Sequence, residues 1–203
     1  SFQLDDQARG FSYKADVMLD MRMDNTKGIT ARDVVNGYSA NQLADIFFRY
    51  GEEKWSKRIA EFIVLRRKTK EISTSGELTE VIKAAVPVAA RKEEKYPQMR
   101  VFQAIRIEVN DELKNLQMAL DGFSKVIRPG GRLCVITFHS LEDRIVKQCF
   151  NKMQDPCECP PDAPICICGK EPTGKVLTRK PVLPQNSEIT LNSRAKSAKL
   201  RVV

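Results

Sequence analysis

Two clusters of reactive side chains stand out in the amino-acid sequence. The first is Cys157-x-Cys159, six residues, then Cys166-x-Cys168, which places four of the chain's six cysteines within twelve positions. Thiolates act as metal ligands, nucleophiles and disulfide partners, so tetrahedral Zn²⁺, a redox disulfide and free thiols are all open readings. A turn rich in proline (Pro160, Pro161, Pro164) brings the two pairs together and suits Zn²⁺, although spacing by one residue is less usual than spacing by two. A metal held there would tie down a loop rather than perform chemistry. The other two cysteines, Cys134 and Cys149, sit in apolar-periodic segments and are expected to be buried thiols.

The second cluster is Phe138-His139-Ser140-Leu141-Glu142-Asp143-Arg144. It follows Arg132–Phe138, a near-continuous apolar run of strand length, and precedes a helical pattern from Leu141 to Met153. The carboxyl ends of strands buried on both faces are where α/β folds bind ligands. The competing reading is that Ser140 caps the helix with Asp143 completing the box, leaving His139, the only histidine, as a satisfied core residue. A third feature is the basic run around Trp55, with Lys54, Lys57, Arg58, Arg66, Arg67 and Lys68. It could contact phosphate, or it could be a solvated face balanced by Glu52, Glu53 and Glu61. H-E-x-x-H, G-x-x-x-x-G-K-[ST] and G-x-G-x-x-G are not present.

The elements that must position these residues fall into two kinds. From about Gly28 to Leu120 the pattern is helix after helix. Capping boxes open at Thr30/Asp33, Ser39/Gln42 and Thr74/Glu77, with stops at Gly37, Gly51 and Pro87. A helix containing Trp55, Ile59, Phe62 and Ile63 follows Gly51; Ala90–Pro97 reads as loop. The stripe Phe102, Ile105, Val109, Leu113, Leu116, Leu120 predicts one helix from Met99 to Leu120. After the turn at Pro129-Gly130-Gly131 the pattern becomes α/β, and Lys175–Leu183 and Lys199–Val203 read as short edge strands.

Composition sets the outer bounds. The chain has 203 residues, 42% hydrophobic and 30% charged, which is globular composition for one large domain or two small ones. Its 34 Lys+Arg against 26 Asp+Glu give a net charge of +8, a field that attracts polyanions such as nucleic acid. No apolar run approaches the ~18–20 residues of a membrane span, and no leader pattern opens the chain. A cytoplasmic protein with no membrane partner is expected. The opening Ser1-Phe2-Gln3-Leu4-Asp5, without Met or a lead-in element, reads as a cut through a longer protein.

Four ordered runs open the chain: Ser1-Phe2-Gln3-Leu4-Asp5, Arg9-Gly10-Phe11-Ser12-Tyr13, Leu19-Asp20-Met21-Arg22-Met23-Asp24 and Tyr50-Gly51-Glu52-Glu53. Phe102–Ile107 with Val109-Asn110, Pro129–Leu133, Phe138–Arg144 and Asn192–Arg201 continue them. Through these runs, over nearly its whole length, the chain resembles the bacterial small-subunit ribosomal RNA cytosine-N4 methyltransferase family (MraW/RsmH). The resemblance implies an α/β fold, the C-terminal part of a class I (Rossmann-like) methyltransferase sheet of seven strands with an inserted all-helical subdomain. Residues 1–9 would end the fourth-strand motif, 10–109 would be the helical insertion for substrate recognition, and 110–203 the remainder of the sheet with a Cys-rich loop at 156–169. Roughly 100 residues of preceding βα units would be absent.

The implied activity is methylation of the exocyclic N4 of a 16S ribosomal RNA cytidine, with S-adenosyl-L-methionine as methyl donor. Alternatives are a non-catalytic RNA-binding fragment and a methyltransferase with a non-RNA acceptor. The resemblance implies Ser1, His139 and Asp143 as active-site residues and Gln3 as the cofactor-contacting position retained here. Arg9, Asp20, Arg22 and Asp24 are candidates for the RNA-facing mouth, unless Asp20 and Arg22 simply pair to hold a loop. Expected partners are 16S ribosomal RNA and the small ribosomal subunit, with a homodimer left open. Structural Zn²⁺ on Cys157, Cys159, Cys166 and Cys168 is expected only as a local clip.

Overall fold

The computed structural model describes residues 6, 9–88, 96–160, 165 and 167–203. Ser1, Gln3, Cys166 and most of the expected loop at Ala90–Pro97 lie outside the described residues. The chain divides into two compact units, Ser1–Glu112 and Leu113–Val203.

In the first unit the helices are α1 (Ala31–Gly37), α2 (Ala40–Arg49), α3 (Ser56–Arg67), α4 (Ser75–Ala85) and α5 (Pro97–Asn110). Three of them start where local chemistry dictates. The side chains of Thr30, Ser39 and Thr74 each accept from the backbone N–H three residues on, and Asp33, Gln42 and Glu77 each bond back to the cap's N–H. Each box satisfies donors that a helix start would otherwise strand. Lys70 and the N–H groups of Ser73 and Thr74 surround the Glu77 carboxylate and pull its pKa down to about 2. Helix α4 ends at Ala85 because Val86, preceding Pro87, is forced into extended backbone. Trp55 precedes α3 rather than lying inside it.

Helices α2, α3 and α4 pack in sequence, and α5 lies against α1, α2 and α4. Their apolar faces meet in Val34, Val35, Leu43, Phe47, Ile59, Ile63, Leu78, Ile82, Val101 and Ile105, all fully buried. Each such side chain contributes about 1.5–3 kcal/mol relative to exposure.

Gly51 lets the end of α2 approach α5. A Cβ built on it would stand 2.7 Å from the carbonyl oxygens of both Phe47 and Arg100. Because both obstacles are backbone, Gly51→Ala should cost about 1–3 kcal/mol; chemical denaturation reads this as a lowered midpoint with unchanged slope.

The single helix expected from Met99 to Leu120 is two. α5 stops at Asn110, and α6 (Glu112–Val126) follows a single left-handed residue, Asp111, at φ 50° and ψ 34°. Aspartate tolerates this conformation through its short polar side chain. The break is clasped on both sides: Arg106 donates twice to Glu112, at 2.7 and 3.0 Å. Asn110 donates to the Met21 carbonyl and accepts from the Met23 N–H.

The second unit carries strand β1 (Cys134–Thr137), α7 (Ser140–Gln154), α8 (Asn186–Leu191), a 3₁₀ turn at Ser193–Ser197 and β2 (Lys199–Val202). The strands pair antiparallel, from Cys134 opposite Val202 to Thr137 opposite Lys199. Helix α7 packs on both, and Leu120, Val146, Phe150 and Val203 form the core with Leu116, Leu133, Val135 and Met153 around them. The fold is thus mixed α/β with a two-stranded sheet among the described residues.

Two strand expectations change. β1 is four residues long and not buried on both faces: Ile136 is 58% exposed and Cys134 is exposed, contrary to its expected burial. Cys134 and Ile136 alternate with Val135, which packs with Val146 and Phe150 of α7, so they point to the opposite face. Cys149 is half-buried, and burial raises its thiol pKa. Lys175–Leu183 forms no strand beyond a bridge from Val182 to Leu200, because Pro181 and Pro184 withhold the donors a ladder needs. Among the described residues no helix is long and apolar enough to cross a membrane.

Candidate functional site

The Leu19–Asp24 segment is a hydrogen-bonded loop. Arg22 donates to Asp20 through Nε and Nη2 at 2.9 and 2.8 Å, and its N–H donates to the same carboxylate. These bonds hold the Asp20 carboxyl below its ordinary range. Arg9 donates to the carbonyls of Arg22 and Met23, while Asp24 accepts from the N–H and hydroxyl of Thr26. The pairing of Asp20 with Arg22 as a loop brace is therefore what the geometry shows, and the charges of Asp20 and Arg22 are spent largely on each other.

Much of the basic run near Trp55 is similarly engaged. Arg67 donates to the Val35 carbonyl at 2.7 Å, Arg66 to that of Lys70, and Arg58 lies over the Phe62 ring at 5.5 Å. A different polar surface in the helical unit is not evident from the sequence. Tyr13, Lys14, Thr79, Lys83, Tyr96 and Gln98 line a groove of about 350 Å³. Within it, buried Thr79 Oγ1 and Gln98 Oε1 make no hydrogen bond among the described residues. These residues come from three distant stretches of sequence, so no local motif could have announced them.

At the strand end, the structure moves the predicted cap by one residue. His139, not Ser140, is the N-cap of α7, and Glu142, not Asp143, completes the box. The His139 side chain accepts from the Glu142 N–H through Nδ1 at 3.4 Å. Glu142 Oε2 accepts from the N–H groups of Phe138 and His139 at 2.7 and 3.2 Å, and Oε1 lies 3.4 Å from His139 Nε2. An accepting Nδ1 leaves the proton of the neutral ring on Nε2. Replacing His139 by Ala should cost about 0.5–2 kcal/mol, while Asn, a strong cap residue, should recover most of it; unfolding titrations of the two variants read the difference.

The shift of register releases Asp143 for another partner. Its two oxygens accept from Arg201 Nε and Nη2 at 2.6 and 3.1 Å, and Lys199 Nζ stands 3.6 Å away. Arg201 is 6% exposed. The two cations on β2 thus hold the start of α7 to the sheet, and the Arg201 guanidinium keeps the Asp143 carboxyl below its usual pKa. Arg201 is not among the site residues expected from the sequence; it closes the Asn192–Arg201 run.

The third candidate is the cysteine cluster. The Sγ atoms of Cys157, Cys159 and Cys168 all lie within 4.8 Å of one another, with Cys168 Sγ 3.9 Å from Cys157 Sγ. The positions of Ser1 and Gln3 are not described, so the structure brings together His139 with Glu142, Asp143 with Arg201, and three of the four clustered cysteines.

Comparison with known proteins gives the site its context. The family model described as the MraW methylase family matches residues 1–203. Proteins named ribosomal RNA small subunit methyltransferase H are 54% identical in Symbiobacterium thermophilum and 53% identical in Acetivibrio thermocellus, each over 203 residues. One named ribosomal RNA small subunit methyltransferase H 2, in Agathobacter rectalis, is 55% identical over the same length. All of this chain is covered in each case, and it spans 64–65% of the relatives' own length. A match along every residue of the chain establishes that it belongs to the MraW methylase family.

Proposed function

We propose that the protein carrying this chain transfers the methyl group of S-adenosyl-L-methionine to the exocyclic N4 of a cytidine in 16S ribosomal RNA. The observation that carries this reading is the unbroken family match, together with relatives named for methylation of small-subunit ribosomal RNA. In this reading the two-stranded edge and α7 belong to a class I methyltransferase sheet, with the helical unit inserted into it.

When bound, the donor supplies a methyl group on a positively charged sulfur, an electrophile that needs no metal. Gln3 is the position in this chain proposed to contact it, and it lies outside the described residues, so no step is derived through the donor. The difficulty lies with the acceptor, because the N4 lone pair is delocalised into the ring. A group that accepts a hydrogen bond from the amine raises its electron density, holding the amine in line supplies the rest, and the proton that the alkylated amine must lose passes to water. We assign Ser1, which lies outside the described residues, to the active site. His139 is proposed to act from the start of α7, where its side chain caps the helix and lies against Glu142. Asp143 is proposed to act in the site through the position of α7, since both its oxygens are occupied by Arg201.

The groove of Tyr13, Lys14, Thr79, Lys83, Tyr96 and Gln98 supports RNA over a lipid or protein acceptor. The aromatic rings of Tyr13 and Tyr96 and the ammonium groups of Lys14 and Lys83 suit bases and phosphates of a single strand. The test uses a protein of the relatives' full length, labelled donor and small-subunit particles lacking the modification. Label recovered in N4-methylcytidine after digestion to nucleosides supports the reading. Donor binding without label in RNA overturns the ribosomal acceptor.

A further inference from the structure

The segment between the end of α7 and residue 173 is an excursion that returns to its origin. The N–H groups of Thr173 and Gly174 donate to the Met153 carbonyl at 2.8 and 3.1 Å, and the Val176 N–H donates to the Gln154 side chain at 2.9 Å. Among the described residues of the loop, no large apolar side chain is buried. Its large apolar side chains, Ile165 and Ile167, are 74% and 89% exposed. Ordering such a loop costs conformational entropy that these few hydrogen bonds do not offset.

We propose that Cys157, Cys159 and Cys168 are ligands of a closed, structural Zn²⁺ site that staples this excursion, with Cys166 as the fourth ligand indicated by the paired spacing. The sulfur separations carry the assignment. A disulfide requires sulfurs about 2.05 Å apart, whereas Cys168 and Cys157 are 3.9 Å apart. A tetrahedral site with Zn–S bonds of about 2.3 Å has edges of about 3.8 Å. Three thiols within 4.8 Å of one another fit three corners of a mononuclear sulfur site. A polynuclear iron–sulfur cluster would hold its cysteines farther apart, around interposed iron and sulfide.

The surrounding charge fits the same ligand. Zn²⁺ with four thiolates carries 2 − 4 = −2, and cations should gather near it. Lys152 and Lys170 both reach Glu158, the residue between Cys157 and Cys159. Four sulfur ligands leave no open coordination position, so the ion is structural and takes no part in methyl transfer. What it secures is the return of the chain at residues 173–177, where the Leu177 N–H reaches the Val202 carbonyl of β2.

The proposal stands independently of the methylation reading and is tested on metal content. The full-length protein, purified under reducing conditions from medium containing zinc, should carry one zinc per chain by mass spectrometry of the metals. Replacing that zinc with Co²⁺ should give the intense visible absorption of a tetrahedral thiolate site. Chelation should release the metal and free four thiols, and should speed hydrogen exchange at residues 173–177 while leaving α1–α5 unchanged. The variant Cys157→Ser/Cys168→Ser should lose the zinc. A protein that binds no stoichiometric metal with all six thiols freely reactive, one that carries disulfide between these cysteines, or one that carries iron instead, overturns the assignment.

Discussion

Replacing Arg100 by Ala is expected to destabilise the helical unit by about 3–5 kcal/mol, the cost of stranding a buried charge. The charge in question is Glu53, whose side chain is fully buried in the turn that joins α2 to α3. Arg100 Nε donates to Glu53 Oε2 at 2.7 Å, and the other oxygen accepts from the Trp55 N–H at 2.9 Å. Glu52, beside it, adopts a left-handed φ of 51°, and Gly51 admits the α5 backbone one residue earlier. The turn is thus built around the carboxylate, and α5 delivers its counter-ion. Converting Glu53 to Gln in the Arg100→Ala background should recover part of the loss, because an amide still accepts from Trp55 without carrying charge. Urea titration of the single and double variants measures both quantities. A cost below about 1 kcal/mol for Arg100→Ala, the range of exposed ion pairs, would show that the pair is not what holds the turn.

This pair illustrates where sequence reading succeeds and where it stops. Thr30, Ser39 and Thr74 were legible as caps because a capping box is complete within four residues, and Gly51 and Pro87 punctuate locally. Glu53 looked like one of several charges balancing a basic run. Its burial depends on Arg100, which is distant in sequence. The break at Asp111 was invisible for a related reason: the apolar stripe runs through it unbroken, while the left-handed turn is fixed by contacts of Asn110 and Arg106. Burial of β1 was overestimated because an apolar run reports what a strand can bury, not which neighbours cover it. In the candidate site the clustering of Cys157, Cys159 and Cys168 was legible from spacing alone. The groove lined by Tyr13, Thr79 and Gln98 was not, since only tertiary folding assembles it.

The same distinction gives the second large effect, at Asp143. Asp143→Ala should destabilise the second unit by about 3–5 kcal/mol, since it leaves Arg201, 6% exposed, without its carboxylate. Acid should reproduce the loss gradually. The folded-state pKa is depressed by Arg201 and Lys199, so the pair's contribution is complete above the unfolded aspartate value of about 3.9 and fades as pH falls through the lower folded value. The wild type should therefore lose more stability below about pH 4 than an Asp143→Asn variant, whose amide has no such titration. In a protein of the relatives' full length, the proposed methyl transfer separates anchoring from direct chemistry. If Asp143 works by fixing α7, and with it His139, to β2, activity lost in Asp143→Asn should follow the folded fraction and return on cooling or with a stabilising osmolyte. A fully folded variant whose kcat stays depressed, with unchanged KM for the RNA, would instead place the carboxylate in the reaction itself. Its two bonds to Arg201 make the first outcome the expected one, because a carboxylate already accepting two charged donors is a weak acceptor for a third.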